Sequence, residues 1–137
     1  MVLHPSGIRP ELVLAGKNGF QGGNPSASIE YLDERWVDDT IITYIGQAGG
    51  GSSTVGLRER VRRYLKHGMR GKGGHSGGRL VWHISDPTRL VFCWKVITRG
   101  DPERVESSLL DEFRECYKQL PFGNINRGKT FADDPTH

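Results

Sequence analysis

Cysteine is scarce: Cys93 and Cys116 are the only two among 137 residues. Two thiols build no disulfide framework, and neither has the spacing of a metal ligand set. They are expected as reduced core thiols of an intracellular protein, Cys93 in an apolar strand and Cys116 near the end of an apolar helix face. No apolar run approaches 18 residues, so no membrane-spanning helix is expected. The opening residues Met1-Val2-Leu3-His4-Pro5 have neither the basic start nor the apolar stretch of a secretory leader. No Gly-x-x-x-x-Gly-Lys-[Ser/Thr] loop occurs, which leaves nucleotide hydrolysis without support. No internal repeat is visible. Gly74-His75-Ser76-Gly77-Gly78 has the letters of a nucleophile elbow. A basic glycine-rich stretch precedes it, and the chain is too short for the large sheet that motif needs.

What is present is glycine and unevenly placed charge. The 19 glycines are roughly twice the usual share and imply several turns. The net charge is only +3, yet residues 58–72 hold Arg58, Arg60, Arg62, Arg63, Lys66, Arg70 and Lys72 against Glu59 alone. That segment carries +6 and leaves −3 for the rest. A local basic cluster suits a polyanion, though it also describes a solvated helix face. The length fits one domain able to bury its own core.

Hydrophobic patterning supplies the elements. Residues 1–26 read as an irregular extension, with a short strand conceivable at Leu12-Val13-Leu14. Residues 27–33 alternate and predict a strand, joined through 33–39 as a hairpin to a β-branched strand over 40–46. A glycine-rich loop over 47–53 leads to a helix capped near Thr54 and stopped by Gly68. Its apolar positions are Leu57, Val61, Tyr64 and Leu65, and Arg60 falls among them. Residues 79–84 are ambiguous between helix and strand. Residues 90–97 predict a strand. Asp101-Pro102 starts a helix whose stripe of Val105, Leu109, Leu110, Phe113, Cys116 and Tyr117 also includes Glu106. Residues 128–137 read as a frayed tail. His83 reads as structural.

Arg60 and Glu106 break the same rule on different helices. A charge on a buried stripe is costly unless it is paired, metal-bound or exposed in a cleft. The two therefore form a structural salt bridge or share a cleft, and functional sites are where local rules fail.

The order of these residues resembles the GIY-YIG nuclease family. Tyr44-Ile45-Gly46 matches the second motif element. Leu57-Arg58-Glu59-Arg60-Val61 matches the segment around the family arginine, with Tyr64 one turn later. Val105 to Leu110 resembles the glutamate segment, and Pro121-Phe122-Gly123-Asn124 the closing Pro-x-x-Asn. The likeness spans roughly residues 27–126 and favours a short helix at 79–84. The first element departs: no Gly-Ile-Tyr occurs, and the nearest segment is Ile29-Glu30-Tyr31.

The resemblance implies an α+β fold, a small three-stranded antiparallel sheet flanked by helices, over residues 27–127. It implies a metal-dependent DNA endonuclease leaving 5′-phosphate and 3′-hydroxyl ends. Glu106 would hold Mg²⁺ or Mn²⁺, and Arg60 would donate to phosphate. Tyr44 or Tyr31 would activate water with Tyr64 in support, and Asn124 would hold the cleft. Arg58, Arg62, Arg63, Lys66, His67, Arg70, Lys72 and His75 are expected to contact nucleic acid. The rival reading is a non-catalytic nucleic-acid-binding module using the 58–72 helix and loop. The expected location is intracellular, and cytoplasmic and nucleoid-associated if the source is prokaryotic. Target recognition by a homodimer or through a partner protein stays open.

Overall fold

Val2 and Leu3 form β1, the middle strand of the sheet in the computed structural model, which describes residues 1–50, 52–72 and 77–126. β1 pairs antiparallel with β2 (Ile42–Tyr44) on one side and β3 (Val91–Phe92) on the other. Val2 stands opposite both Tyr44 and Phe92. Among the described residues three α-helices accompany the sheet: α1 (Ile29–Arg35), α2 (Leu57–Arg70) and α3 (Pro102–Tyr117). The fold is therefore α+β, with a small three-stranded antiparallel sheet, as expected.

Residues 1–26 are not an irregular appendage. They supply β1, and Phe20 stacks on Trp82 with ring centroids 5.5 Å apart. Leu12-Val13-Leu14 contributes a single bridge, Leu12 to Ile84. Residues 27–33 are not a strand, so the expected hairpin does not exist. Ser28 caps α1 by accepting from the Tyr31 N–H at 3.1 Å, and Leu32 and Trp36 turn inward at helical spacing. The 90–97 strand shrinks to β3, extended by one pair in which Met1 and Cys93 exchange hydrogen bonds.

α2 starts after Gly56 and stops at Gly71, which adopts φ 66° as the αL cap. Gly68 lies inside the helix for a packing reason. A Cβ there would sit 2.4 Å from the buried Trp82 ring. The inward face of α2 is Tyr64, His67 and Gly68, while Leu57 and Leu65 are exposed. Arg79–His83 forms a 3₁₀ turn, in line with the helical reading. Asp101 caps α3 through the Glu103 N–H at 3.0 Å, and Lys118 closes it in αL.

Two apolar clusters hold these elements. One joins Val2, Leu32, Trp36, Tyr64, Leu80, Trp82 and Phe122. The other seats α3 through Leu110 and Phe113 against Val37 and Ile45. His83 is fully buried in the first layer of loops. The Val13 carbonyl can only accept, so Nδ1–H donates to it at 2.8 Å. The Asn24 N–H donates to Nε2 at 2.8 Å, which locks the neutral ring. The cysteines are not core residues: Cys116 is exposed and Cys93 half-buried, because α3 turns Cys116 outward and β3 is an edge strand. No helix among the described residues is long and apolar enough to cross a membrane. The expected tail, 128–137, lies outside the described residues.

A candidate active site around Tyr44

Tyr44 ends β2, and its ring stacks on Tyr64 of α2 at 5.9 Å between centroids and 5° between planes. Tyr64 is then pinned from behind by Trp82 at 4.9 Å and Phe92 at 5.9 Å. Its hydroxyl donates to the Gly78 carbonyl at 3.0 Å. Gly78 needs to be glycine: it has φ 72°, and a Cβ would lie 3.0 Å from Tyr64 and 3.3 Å from Tyr44. Gly46 has the same kind of constraint, since a Cβ there would fall 2.8 Å from the Tyr44 ring. The Tyr-x-Gly spacing therefore lets the chain pass under the phenol.

Arg60 lies one turn before Tyr64 on α2 and reaches the Tyr44 hydroxyl. Glu106, in the second turn of α3, lies near enough for its charge to act on the same hydroxyl. Its carboxylate accepts from the Gln47 backbone N–H and feels both Arg60 and Glu103. The glycine-rich loop achieves this by packing onto the start of α3; a Cβ on Gly50 would be 2.9 Å from the Glu103 nitrogen. Gln47 was not legible as a site residue, because a backbone donor leaves no trace in side-chain pattern. Among the described residues no ion pair joins Arg60 to Glu106, and both are partly exposed. Both side chains instead act on the Tyr44 hydroxyl.

Burial, followed by the Glu106 charge, raises the Tyr44 phenol above its ordinary value, and Arg60 opposes the rise. The phenol is thus a neutral O–H donor at neutral pH. Burial raises the Tyr64 phenol well above the ordinary range, so Tyr64 is a support and not a proton acceptor. Burial also raises the Glu106 carboxyl, with Arg60 pulling it back.

Asn124 grips the strand leaving Tyr44. Its side-chain oxygen accepts from Ile45 N–H at 2.9 Å, and its amide donates to Ile45 O at 2.8 Å. It is 6% exposed, so it acts on the backbone beside Tyr44 from within the fold.

Tyr31 does not join the cluster. It sits on α1 over Arg35, lining a groove of about 300 Å³ with Glu34, Gln119 and Leu120. Roughly 16 Å of α3 separates Glu106 from Tyr117, and Gln119 lies beyond that. The helical capping at Ser28 is what carries Tyr31 away. The strand partner of Tyr44 is Val2, which offers no hydroxyl.

The basic residues divide. Arg58, Lys66, Arg70 and Lys72 are exposed. Arg62 and Arg63 are exposed but hold Glu59 at 2.8 Å each, which keeps that carboxyl at about 2. His67 is not available to a phosphate: it is buried, with Nε2 3.2 Å from the Gly22 carbonyl, because it falls on the Tyr64 side of α2. His75 lies outside the described residues.

A metal fits only sparingly. Among the described residues no group of three His, Cys, Asp or Glu side chains converges. Glu106 offers one half-buried carboxylate that Arg60 does not occupy, with Glu103 one turn before it. One protein carboxylate completed by waters and phosphate oxygens is the usual donor set for Mg²⁺. No family model matches this chain, and comparisons with curated proteins and with solved structures return no match.

Proposed function

We propose that this protein is a metal-dependent DNA endonuclease, hydrolysing phosphodiester bonds to 5′-phosphate and 3′-hydroxyl ends. The observation that carries the reading is the approach of Arg60 and Glu106, from separate helices, to the Tyr44 hydroxyl with no ion pair between them among the described residues. A structural salt bridge would close that gap. A binding module gains nothing from a half-buried carboxylate directed where phosphate must lie. The likeness of the residue order to GIY-YIG nucleases supports the same chemistry.

Each side chain then has a task. The Arg60 guanidinium donates N–H groups to non-bridging phosphate oxygens and stabilises the charge that grows there. The neutral Tyr44 hydroxyl orients a water for in-line attack, and Arg60 beside it eases loss of the phenol proton. Glu106, fixed by the Gln47 N–H, would hold Mg²⁺ or Mn²⁺. Such an ion supplies charge neutralisation at the scissile phosphate and the departing oxygen. The Tyr64 stack and the Asn124 clamp keep the phenol in place. The exposed cations of α2 track the neighbouring phosphates and make binding sensitive to salt.

The test is incubation with supercoiled plasmid and mixed oligonucleotides, with and without Mg²⁺ or Mn²⁺. Cleavage is expected only with metal, lost in Glu106→Ala and reduced about 10²–10³-fold in Arg60→Ala. No cleavage with either metal, and Glu106→Ala indistinguishable from wild type, overturns the enzymatic reading. Salt-sensitive DNA binding that persists without cleavage would leave the non-catalytic module in its place.

A further inference from the structure

A groove of about 290 Å³ opens between the chain that leaves β1 and the loop that enters β3. His4, Ser6, Arg9, Asp86 and Arg89 line it beside the buried Ile84. None of these residues belongs to the Tyr44 cluster. Val2 pairs with Tyr44, whereas the His4 N–H donates to the Ile41 carbonyl at 2.8 Å, past the pair of Leu3 and Ile42. Both walls are tied down. The Ser85 N–H donates to the Glu11 carbonyl at 2.9 Å, and Leu12 bridges to Ile84. Arg9 is fixed to α1 through the Asp33 carboxylate at 2.6 Å.

The carboxylates here leave one cation over. Asp33 holds Arg9 through Nη2 alone. Asp86 turns Oδ1 to the Thr88 N–H and hydroxyl. Among the described residues Arg89 has no ion-pair partner, Asp86 included, and it is exposed. Its charge still acts on the His4 ring, which burial and then Arg89 hold below the ordinary histidine value against the pull of Asp86. Ser6 Oγ lies 3.0 Å from His4 Nδ1 and 3.3 Å from the Ile8 carbonyl. A serine has one proton to give. It donates to Nδ1 while the ring is neutral and turns to the Ile8 carbonyl when Nδ1 carries a proton. The ring therefore keeps its partner in either charge state. Donors reach the groove from both walls, which suits a tetrahedral oxyanion better than a flat carboxylate, and the guanidinium fork of Arg89 matches phosphate oxygens.

We propose that this groove binds a phosphate group, with Arg89 as its main anchor and Arg9, His4 and Ser6 around it. The volume lies near the lower end of small-molecule pockets and leaves room for the group that the phosphate esterifies. Two sources carry that chemistry, a small phosphate monoester and a DNA strand, and the arms of the test separate them. Nothing in the proposal depends on the endonuclease reading.

The full chain is titrated without added metal with inorganic phosphate, with thymidine 5′-monophosphate and with an oligothymidylate lacking terminal phosphates. Chloride at matched ionic strength is the control. The His4 ring resonances are followed by NMR. Inorganic phosphate is expected to shift them saturably, and chloride is not. Arg89→Ala should weaken phosphate binding about ten- to a hundredfold, the loss of a charge-assisted hydrogen bond, and Arg89→Lys should keep part of it. Arg99→Ala removes an exposed cation that does not line the groove and should change binding by no more than about twofold. Arg89 is exposed, so its variants should melt with wild type. A saturable shift with the monophosphate and none with the oligothymidylate upholds the site and assigns it a small monoester. A saturable shift with the oligothymidylate that Arg89→Ala removes upholds the site and assigns it a DNA strand. No saturable shift with any of the three, a shift that chloride reproduces, or equal loss in Arg89→Ala and Arg99→Ala overturns the inference. Failure of plasmid cleavage leaves this result standing, and failure here leaves the cleavage result standing.

Discussion

Asn124→Asp exchanges an amide nitrogen for an oxygen and keeps the shape, which isolates one hydrogen bond beneath the candidate site. Asn124 both accepts from and donates to Ile45, at 2.9 and 2.8 Å. An ionised aspartate keeps the first bond and turns its other oxygen against the Ile45 carbonyl. Leaving that carbonyl unpaired costs about 1–3 kcal/mol, and burying the charge adds to it. Arg35, which donates to the Asn124 carbonyl at 2.6 Å, offsets part of this. The expected net loss at neutral pH is about 2–4 kcal/mol. A protonated aspartic acid regains the donor, so the folded state raises this carboxyl above its unfolded value of about 3.9. The deficit is then present above the folded pKa and disappears as pH falls through it toward the unfolded value. Urea unfolding followed by emission of the buried tryptophans reads the difference between variant and wild type. At neutral pH the midpoint should drop by about 1–2 M for a slope near 2 kcal/mol/M, and the drop should shrink near pH 5. Asn124→Ala loses both bonds and should show no such recovery. A deficit below about 0.5 kcal/mol, or one that does not change with pH, refutes the clamp.

Gly68→Ala should destabilise by roughly 1–3 kcal/mol, since overpacking against Trp82 outweighs the gain of about 1 kcal/mol in helix propensity; a raised melting temperature would contradict this. Glu106→Gln should abolish cleavage while leaving stability equal or higher. Its carboxyl is raised by burial, so at neutral pH it holds a charge that the fold disfavours; a marked fall in melting temperature would assign it a structural role instead. Wild-type stability should decline as pH falls through about 6.5, the unfolded histidine value. Burial lowers His83 and His4, so the unfolded chain takes up the protons first. The slope is at most about 1.4 kcal/mol per pH unit for each histidine, and a flat profile down to about pH 5 would refute the locked ring of His83.

The residues of the candidate cluster are more legible in the sequence than the strand order of the sheet. Arg60 and Glu106 stood out because charges interrupted apolar stripes, and Tyr44 because an aromatic preceded glycine at a strand end. β1 was hidden because two residues carry no periodicity. Ala27, Ile29 and Tyr31 alternate by accident, while the pattern that decides the structure is Leu32 and Trp36 at four residues behind a serine cap. Gly68 imitated a helix stop because composition cannot tell a glycine needed for a left-handed cap from one needed for a neighbouring ring. Leu57 and Leu65 suggested a helix face rotated from the one that Tyr64, His67 and Gly68 bury. The orientation of a helix is set by what it packs on, and Trp82 comes later in the chain.

β1 meets Tyr44 and Phe92 through a single residue, Val2, so the sheet contains no local hairpin. Contact order is high where secondary structure is least, and closing such long loops precedes any reward from pairing. The helices are therefore free to form early, and the ladder that aligns them must join late. Release of this one strand would unlatch both edges together. Amide exchange at His4 and Cys93, whose N–H groups bond the Ile41 and Met1 carbonyls at the two edges, should report that opening as one cooperative event, well before α2 or α3 unravels.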